Sequence, residues 1–301
     1  ALPIFYKLAF EISKLSQATF GVLPTYSNSV GLHAVNVLPE KGGLNACAMF
    51  EKKLKAYILL NVEPQLDTSN AQLMQDAIVS SDFTVALSTY NSKYLKNADV
   101  LLPVSPFTES SGTIINMEGR VQSYAAVTQS LGQSRPTWKV LRVLANHLDL
   151  KGFDYESSLD VKEAHMKSKN QFISKELSNA IDITNDYKIR ITKPMRFSRI
   201  GETHQYRMDP ITRRAPSLQT AIQKSKAFAK LNPIEMKSLR LKGNDKIKIT
   251  QGKQSINLVV IEDVSIPEGS IYIPSGIDET ANLSDIYGDV TVKKITSRGA
   301  P

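Results

Sequence analysis

Residues 56–62 read Ala-Tyr-Ile-Leu-Leu-Asn-Val, residues 83–87 read Phe-Thr-Val-Ala-Leu, and residues 100–102 read Val-Leu-Leu. Short continuous apolar runs of this kind are typical of strands buried on both faces. Between them, residues 69–78 combine a Ser-Asn capping pair with helical apolar spacing, and residues 91–97 predict a second, shorter helix. Strands that alternate with helices at this spacing predict right-handed βαβ units and a parallel sheet.

Helical spacing continues on both sides of this segment. Residues 5–15 carry apolar side chains at helical intervals, and Ser134 and Pro136 open another amphipathic helix. Residues 161–174 predict a charged surface helix, and residues 178–183 predict a short one. The sequence therefore predicts an α/β domain over residues 1–195.

The pattern changes after this domain. Residues 196–217 are loop-like in composition and predict a linker, and residues 220–231 predict a helix. Alternation with period two then predicts strands over residues 246–250, 255–261, 270–273 and 289–292. Several short strands separated by turn residues predict a small barrel or sandwich over residues 218–301.

Composition and charge limit the function. The chain has 301 residues, with 37 Lys and Arg against 29 Asp and Glu, which gives a net charge of +8. The basic residues are spread along the chain, so they predict a solvated surface rather than a nucleic-acid site. A single cysteine excludes a disulfide scaffold and any Cys-ligated zinc or iron–sulfur site within these residues. Apolar runs fall far short of the ~20 residues of a membrane span, and no secretory signal is expected.

Common catalytic and binding motifs are missing. The sequence contains neither the glycine-rich dinucleotide motif nor a P-loop. The four histidines stand far apart and predict no metal site: His33, His147, His165 and His204. Cys47, at a helix start, is predicted to be a small buried apolar residue. We therefore expect no catalytic residue and no metal in this chain.

Residues 98–122 carry the most informative pattern. A predicted strand ends at Pro103, and a polar loop, a second β-like run and a glycine turn follow it. The candidate site residues there are Glu109, Gly112, Asn116, Glu118, Gly119 and Arg120. Loops at the carboxyl ends of strands line the ligand crevice of an α/β sheet, and an Arg between carboxylates could hold a planar polar ligand. Alternatively, these charges pair with one another and fix the loop, in which case Arg120→Ala costs about 1–3 kcal/mol.

This segment, A-D-V-x-L-P followed by F-x-E-x-x-G-T and N-x-E-G-R-V-Q, resembles the molybdopterin oxidoreductase family. Residues 28–31, Asn-Ser-Val-Gly, and residues 206–220, which include Arg213-Arg214, resemble the large iron–sulfur subunit of bacterial NADH–quinone oxidoreductase, respiratory complex I. Residues 232–274 resemble the molybdopterin-dinucleotide-binding domain of the family, a double-psi β-barrel.

The resemblance implies a structural role. Such subunits carry their iron–sulfur clusters on cysteine-rich N-terminal domains, so the clusters would lie in a part that precedes this chain, and no cofactor is expected here. Glu109, Gly112 and the Asn116–Arg120 turn would be relics of a cofactor crevice. The chain would pack against other peripheral-arm subunits of complex I on the cytoplasmic side of the bacterial inner membrane, without membrane insertion or nucleic-acid binding.

Two alternatives remain open. The chain could be the C-terminal half of an active molybdopterin-dependent oxidoreductase. It could also be a binding module whose basic barrel docks nucleic acid or an acidic protein, although Tyr272 and Tyr287 are the only aromatic residues after Phe228 that could stack on bases.

Overall fold

The computed structural model describes residues 2–24, 26–39, 42–168, 197–222, 227–283 and 285–295. The chain divides into two compact units. The first unit comprises Ala1–Asn45 and Ser105–Ile191, and the second comprises Ala46–Val104 and Thr192–Pro301. Each unit therefore combines segments that are distant in sequence.

The secondary structure of the described residues follows the predicted alternation, except that the helix predicted over residues 91–97 is only a short 3-10 helix, Lys93–Leu95. The helices are α1 (Leu2–Ser16), α2 (Ser29–Ala34), α3 (Ala46–Lys52), α4 (Pro64–Asp67), α5 (Ala71–Val79), α6 (Thr137–His147), α7 (Ser158–Ser168), α8 (Pro216–Ala221) and α9 (Pro233–Ser238). The strands are β1 (Ala56–Leu60), β2 (Phe83–Ser88), β3 (Val100–Pro103), β4 (Gly112–Ile115), β5 (Val121–Tyr124), β6 (Phe197–Thr203), β7 (Phe228–Leu231), β8 (Lys246–Gln251), β9 (Gln254–Glu262), β10 (Ser270–Ser275) and β11 (Tyr287–Lys294). All the strands predicted from periodicity are present.

The second unit begins with a parallel three-stranded sheet in the order β1-β2-β3. Helix α5 starts where Asn70 accepts a hydrogen bond from the backbone N–H of Leu73, as its capping sequence predicts. The inward sheet residues Tyr57, Leu59 and Ala86 pack with the apolar face of α5 into one buried cluster. This sheet confirms the predicted parallel α/β arrangement.

Six strands of the second unit close into a barrel in the order β10-β6-β11-β8-β9-β7. The β6–β10 and β7–β9 pairings are parallel, and the other pairings are antiparallel. Alternate apolar residues fill the interior, including Ile247 and Ile249 on β8 and Ile271 and Ile273 on β10, all fully buried. The barrel core is therefore made by the period-two pattern seen in the sequence.

The first unit contains α1, α2, the antiparallel β4–β5 hairpin, α6 and α7. The side-chain oxygen of Asn28 accepts a hydrogen bond from the backbone N–H of Ile115 at 2.9 Å, which ties the start of α2 to the hairpin. Helix α1 forms as predicted, but Phe5 and Leu15 on its apolar stripe are 66% and 88% exposed.

Three sequence predictions about the strands are wrong. Strand β1 buries one face only, since Ile58 on its other face is 62% exposed, and β3, also predicted to be buried on both faces, has no buried residue. Residues 197–203, predicted as part of a linker, form barrel strand β6, because their alternate side chains face the barrel interior. Residues 228–231, predicted to continue a helix, form β7, because they pair with β9 and β10. The predicted helix over residues 178–183 lies outside the described residues.

No helix among the described residues combines the length and the apolar character needed to cross a bilayer.

Candidate functional site

A buried acidic residue stands at the carboxyl end of β1. The strand ends at Leu60, and Glu63 follows three residues later with only 2% of its surface exposed. Pro64 then starts α4 and sends the chain away from the sheet edge. In open α/β sheets this edge is where ligands bind, so the partners of Glu63 decide what the site can do.

Two consecutive arginines of the second unit neutralise Glu63. Arg214 donates hydrogen bonds to both carboxylate oxygens, at 2.6 Å to Oε1 and 3.1 Å to Oε2, and Arg213 donates to Oε2 at 2.8 Å. Arg213 also pairs with Asp67 at the end of α4. The guanidinium of Arg214 lies 4.3 Å from the ring centre of Tyr90, a cation–π distance. We call these five residues the Glu63 cluster.

The loop between β6 and α8 presents the two arginines. Asp209 accepts hydrogen bonds from the backbone N–H groups of Ile211 and Thr212, which fixes a tight turn before the arginines. The Nε of Arg213 donates to the carbonyl of Arg207 at 2.7 Å. The loop backbone therefore holds the Nε end of the Arg213 side chain, while the terminal nitrogens bind Glu63 and Asp67. The orientation of Arg213 does not depend on Glu63 alone.

The electrostatics favour ionised partners. Burial by itself raises the pKa of Glu63, but hydrogen bonds from Arg214, Ser92 and Arg213 outweigh that effect and hold the pKa at about 2. Burial likewise lowers the pKa of Arg213, and the bonds to Asp67 and Glu63 more than reverse it. Glu63 and Arg213 are therefore charged at neutral pH.

A cavity of about 310 Å³ lies beside the cluster. Its lining residues are Glu63, Leu66, Arg207, Arg213, Arg214, Gln219, Gly276, Ile277 and Asp278. Burial lowers the pKa of Arg207, and the charge of Glu279 partly opposes this shift. Two of the three arginines that line the cavity are already paired with Glu63.

The residues singled out in the sequence lie elsewhere, in the first unit. Glu109 accepts a hydrogen bond from the backbone N–H of Leu131 at 3.0 Å. Gly112 begins β4, where an added Cβ would lie 2.6 Å from the hydroxyl of Tyr124. The side-chain oxygen of Asn116 accepts from the backbone N–H groups of Glu118 and Arg120, closing the hairpin turn.

The predicted mutual pairing of Glu109, Glu118 and Arg120 is wrong. Arg120 is exposed, and within the described chain its guanidinium has no side-chain partner. Gly119 is the residue that the turn requires, because its φ of 80° lies in the left-handed region. Backbone geometry and Asn116 therefore hold this turn.

The other single residues have varied outcomes. Cys47 was predicted to be buried, but it is exposed, and its thiol contacts Glu51, whose charge raises the pKa of the thiol. His147 is the last residue of α6. His204 accepts a hydrogen bond from the backbone N–H of Tyr206. Across the described ranges, no group of three or more His, Cys, Asp or Glu side chains could hold a metal ion.

The sequence reasoning missed the Glu63 cluster. Glu63 directly follows the apolar run of residues 56–62, and a charged residue just beyond a buried strand stands at the ligand edge of a parallel sheet. Arg213 and Arg214 were noted only as part of a resemblance. These arginines pair with Glu63 across about 150 positions of sequence, and no local sequence pattern indicates that pairing.

Comparison with known proteins agrees with this architecture. Residues 5–147 match the family model described as molybdopterin oxidoreductase. From Bacillus subtilis, the protein named "Probable oxidoreductase YjgC" is 35% identical over 134 residues, and "Assimilatory nitrate reductase catalytic subunit" is 35% identical over 137 residues. "Putative formate dehydrogenase YrhE" is 37% identical over 101 residues.

These matches cover parts of each chain. They span 43%, 44% and 34% of this chain, but 14%, 19% and 10% of the respective relatives. Acetylene hydratase from Pelobacter acetylenicus superposes with a TM-score of 0.63 at 16% identity, over 82% of this chain and 46% of that one. At that identity the superposition shows a shared fold. The comparisons thus identify a molybdopterin oxidoreductase family match in residues 5–147.

Proposed function

We propose that this chain is part of a larger oxidoreductase subunit of the molybdopterin oxidoreductase type, in which it acts as a scaffold. The observation that carries the scaffold role is the Glu63 cluster. It occupies the carboxyl edge of the β1–β2 sheet with an ion-paired network that joins α4 to the loop after β6.

The residues of this edge fit a pterin dinucleotide poorly. Such a cofactor carries a diphosphate, which needs free cationic or backbone N–H donors. Here the guanidinium groups of Arg213 and Arg214 are committed to Glu63, a carboxylate that stays ionised and would repel a phosphate. The adjoining cavity of about 310 Å³ lies at the lower limit of small-ligand sites. The cluster therefore supports a fold-stabilising role at this edge.

We further propose that the parent protein is the large iron–sulfur subunit of an NADH–quinone oxidoreductase of the complex I type. The segment over residues 206–220 supports this, because it carries the resemblance to that subunit and supplies both arginines of the cluster. In this proposal the iron–sulfur clusters lie outside this chain. The partners would be peripheral-arm subunits on the cytoplasmic side of the membrane.

The barrel belongs to the same proposal. We assign it to the double-psi type. The six-strand closure and the two parallel pairings, β6–β10 and β7–β9, support that assignment.

A second candidate function is catalysis by a molybdopterin-dependent oxidoreductase. The names of the relatives favour it, since a nitrate reductase subunit and a protein named as a formate dehydrogenase match this chain at 35% and 37% identity. The deciding measurement is the molybdenum, tungsten and oxidised-pterin content of the whole protein purified from its source. Stoichiometric pterin and metal would establish the catalytic candidate and contradict the scaffold.

The scaffold role has its own test in the assembled enzyme. Glu63→Gln removes the charge that holds both arginines, so we expect less assembled complex on native gels. NADH–quinone turnover for each assembled complex should be unchanged, because no reacting group is lost. Glu118→Gln is the matched control, since Glu118 is exposed. A loss of turnover for each complex at unchanged assembly would contradict the scaffold role.

A further inference from the structure

A second cavity, of about 380 Å³, lies within the first unit. It is lined by residues of α2, the β4–β5 hairpin, α6 and α7 and is partly open to solvent. Its lining residues are Asn28, Gly31, Val35, Ser111, Gly112, Thr113, Ile115, Val121, Trp138, Ser158, Val161, Lys162 and His165. This volume lies within the usual range of small-molecule sites, and the Glu63 cluster contributes nothing to it.

The cavity has two unlike walls. Ser158, Lys162 and His165 stand at positions i, i+4 and i+7 of α7, so one face of that helix presents polar groups to the cavity. Just after α2 and on the hairpin, the lining side chains Val35, Ile115 and Val121 are apolar, beside the polar Asn28 and Thr113. A ligand that matches both walls needs an apolar body with one polar edge.

Some of the polar groups that line the cavity are hydrogen-bond donors that lack an acceptor or a charged partner in the described part of the chain. The indole Nε1 of Trp138 is buried and has no hydrogen-bond acceptor among the residues described. The ammonium of Lys162 donates to the hydroxyl of Ser123 at 3.0 Å, and within the described ranges no carboxylate pairs with it. Ser111 and Ser158 share a hydrogen bond of 2.8 Å, which leaves one hydroxyl hydrogen free to turn to a ligand. A buried donor without an acceptor is unfavourable, so an acceptor in the cavity would stabilise this wall.

From this geometry we infer that the first-unit cavity binds a small anionic amphiphile, an aliphatic or aromatic carboxylate. The apolar body lies against Val35, Ile115 and Val121. The carboxylate faces α7, where Lys162 supplies the charge. The inference does not depend on the proposed function, because it concerns another unit and other residues.

The sole tryptophan of the chain lines this cavity and provides the readout. Decanoate, below its micelle-forming concentration, is titrated into the full 301-residue chain while Trp138 emission is followed. We expect a saturable change in intensity and wavelength. Decanol, which has the same apolar body without the charge, should bind about tenfold or more weakly, since hydrogen bonds to charged groups contribute about twice as much as neutral ones.

Two variants locate the charge. Lys162→Met keeps an unbranched apolar side chain and removes the ammonium, and should weaken decanoate binding about tenfold while leaving decanol binding unchanged. Lys151→Met, an exposed position outside the cavity, should leave both affinities unchanged. Circular dichroism of both variants confirms that they are folded before titration.

Two results would overturn the inference. One is the absence of any saturable Trp138 response to decanoate in the wild-type chain. The other is equal affinity for decanoate and decanol that Lys162→Met leaves unaltered, which would mean that the cavity takes up apolar molecules without recognising the carboxylate.

Discussion

Glu63 shows how a single buried charge depends on its partners. Its carboxylate and the guanidinium of Arg213 are both almost fully buried. Replacing Glu63 by Gln leaves Arg214 without its counter-charge and leaves Arg213 with Asp67 alone. Breaking a buried pair from one side costs about 3–5 kcal/mol, so we expect the free energy of unfolding to fall by about that amount. Urea denaturation at neutral pH measures it.

The control for this prediction uses an exposed carboxylate. Glu118→Gln removes a charge whose side-chain oxygen accepts a long hydrogen bond, of 3.4 Å, from the amide of Asn116, so its effect should stay within about 0.5 kcal/mol. Equal effects of the two substitutions would mean that the Glu63 cluster does not stabilise the fold.

The pH dependence of stability provides an independent check on Glu63. Its pKa in the folded chain is about 2, below the reference value of 4.5. The ionised carboxylate therefore contributes stability above about pH 4.5, and this contribution is lost as the pH falls toward 2. The shift corresponds to roughly 3 kcal/mol. The difference in unfolding free energy between wild type and Glu63→Gln should narrow between pH 5 and pH 3. A difference that stays constant over that range would contradict the assignment.

At the scale of elements, the β4–β5 hairpin depends on Asn116 rather than on Arg120. Asn116→Ala removes the acceptor of two backbone N–H groups at 3.0 and 2.9 Å, and should lower the free energy of unfolding by about 1–2 kcal/mol. Arg120→Ala should change it by less than about 0.5 kcal/mol, because the side chain is exposed. The ratio of the two effects in thermal unfolding tests this. A larger loss for Arg120→Ala would restore the pairing inferred from the sequence.

Strand β6 shows why an element can escape sequence analysis. Its alternation is partly hidden, because Arg199 occupies an inward position and is 4% exposed. Gln251 and Ser275, on β8 and β10, accept hydrogen bonds from its guanidinium, and burial lowers its pKa to about 10. Periodicity treats an arginine as a surface residue, so a buried one breaks the pattern. Strand β8 has Ile247 and Ile249 at its inward positions and was predicted correctly.

At the scale of the whole molecule, features with a local sequence pattern could be predicted, and features that depend on contacts between distant segments could not. The parallel sheet and barrel strands β8 to β11 follow from local periodicity, because their apolar residues recur at strand spacing. The Glu63 cluster joins a residue after β1 to two arginines about 150 positions later. The discontinuous units likewise arise from contacts between distant segments. Neither the Glu63 cluster nor the division into two units can therefore be recognised from a short stretch of sequence.

The distribution of buried apolar residues leads to a prediction about unfolding. Within the described ranges, both hydrophobic clusters belong to the second unit, one at the sheet and one in the barrel. In the first unit, few apolar side chains are buried, among them Ala34, Ile115 and Ala145. Since burial of apolar surface drives folding, we expect the first unit to unfold at a lower urea concentration.

The fluorescence of Trp138 reports the unfolding of the first unit separately from that of the second, because the sole tryptophan belongs to the first unit. Its emission should shift to the red at a lower urea concentration than the midpoint of the far-UV circular dichroism, to which the barrel strands contribute. Glu63→Gln should lower the dichroism midpoint and leave the emission midpoint in place, because the substitution lies in the second unit. If both probes moved together in wild type and variant, the chain would unfold as one cooperative body, and the first unit would draw its stability from the second.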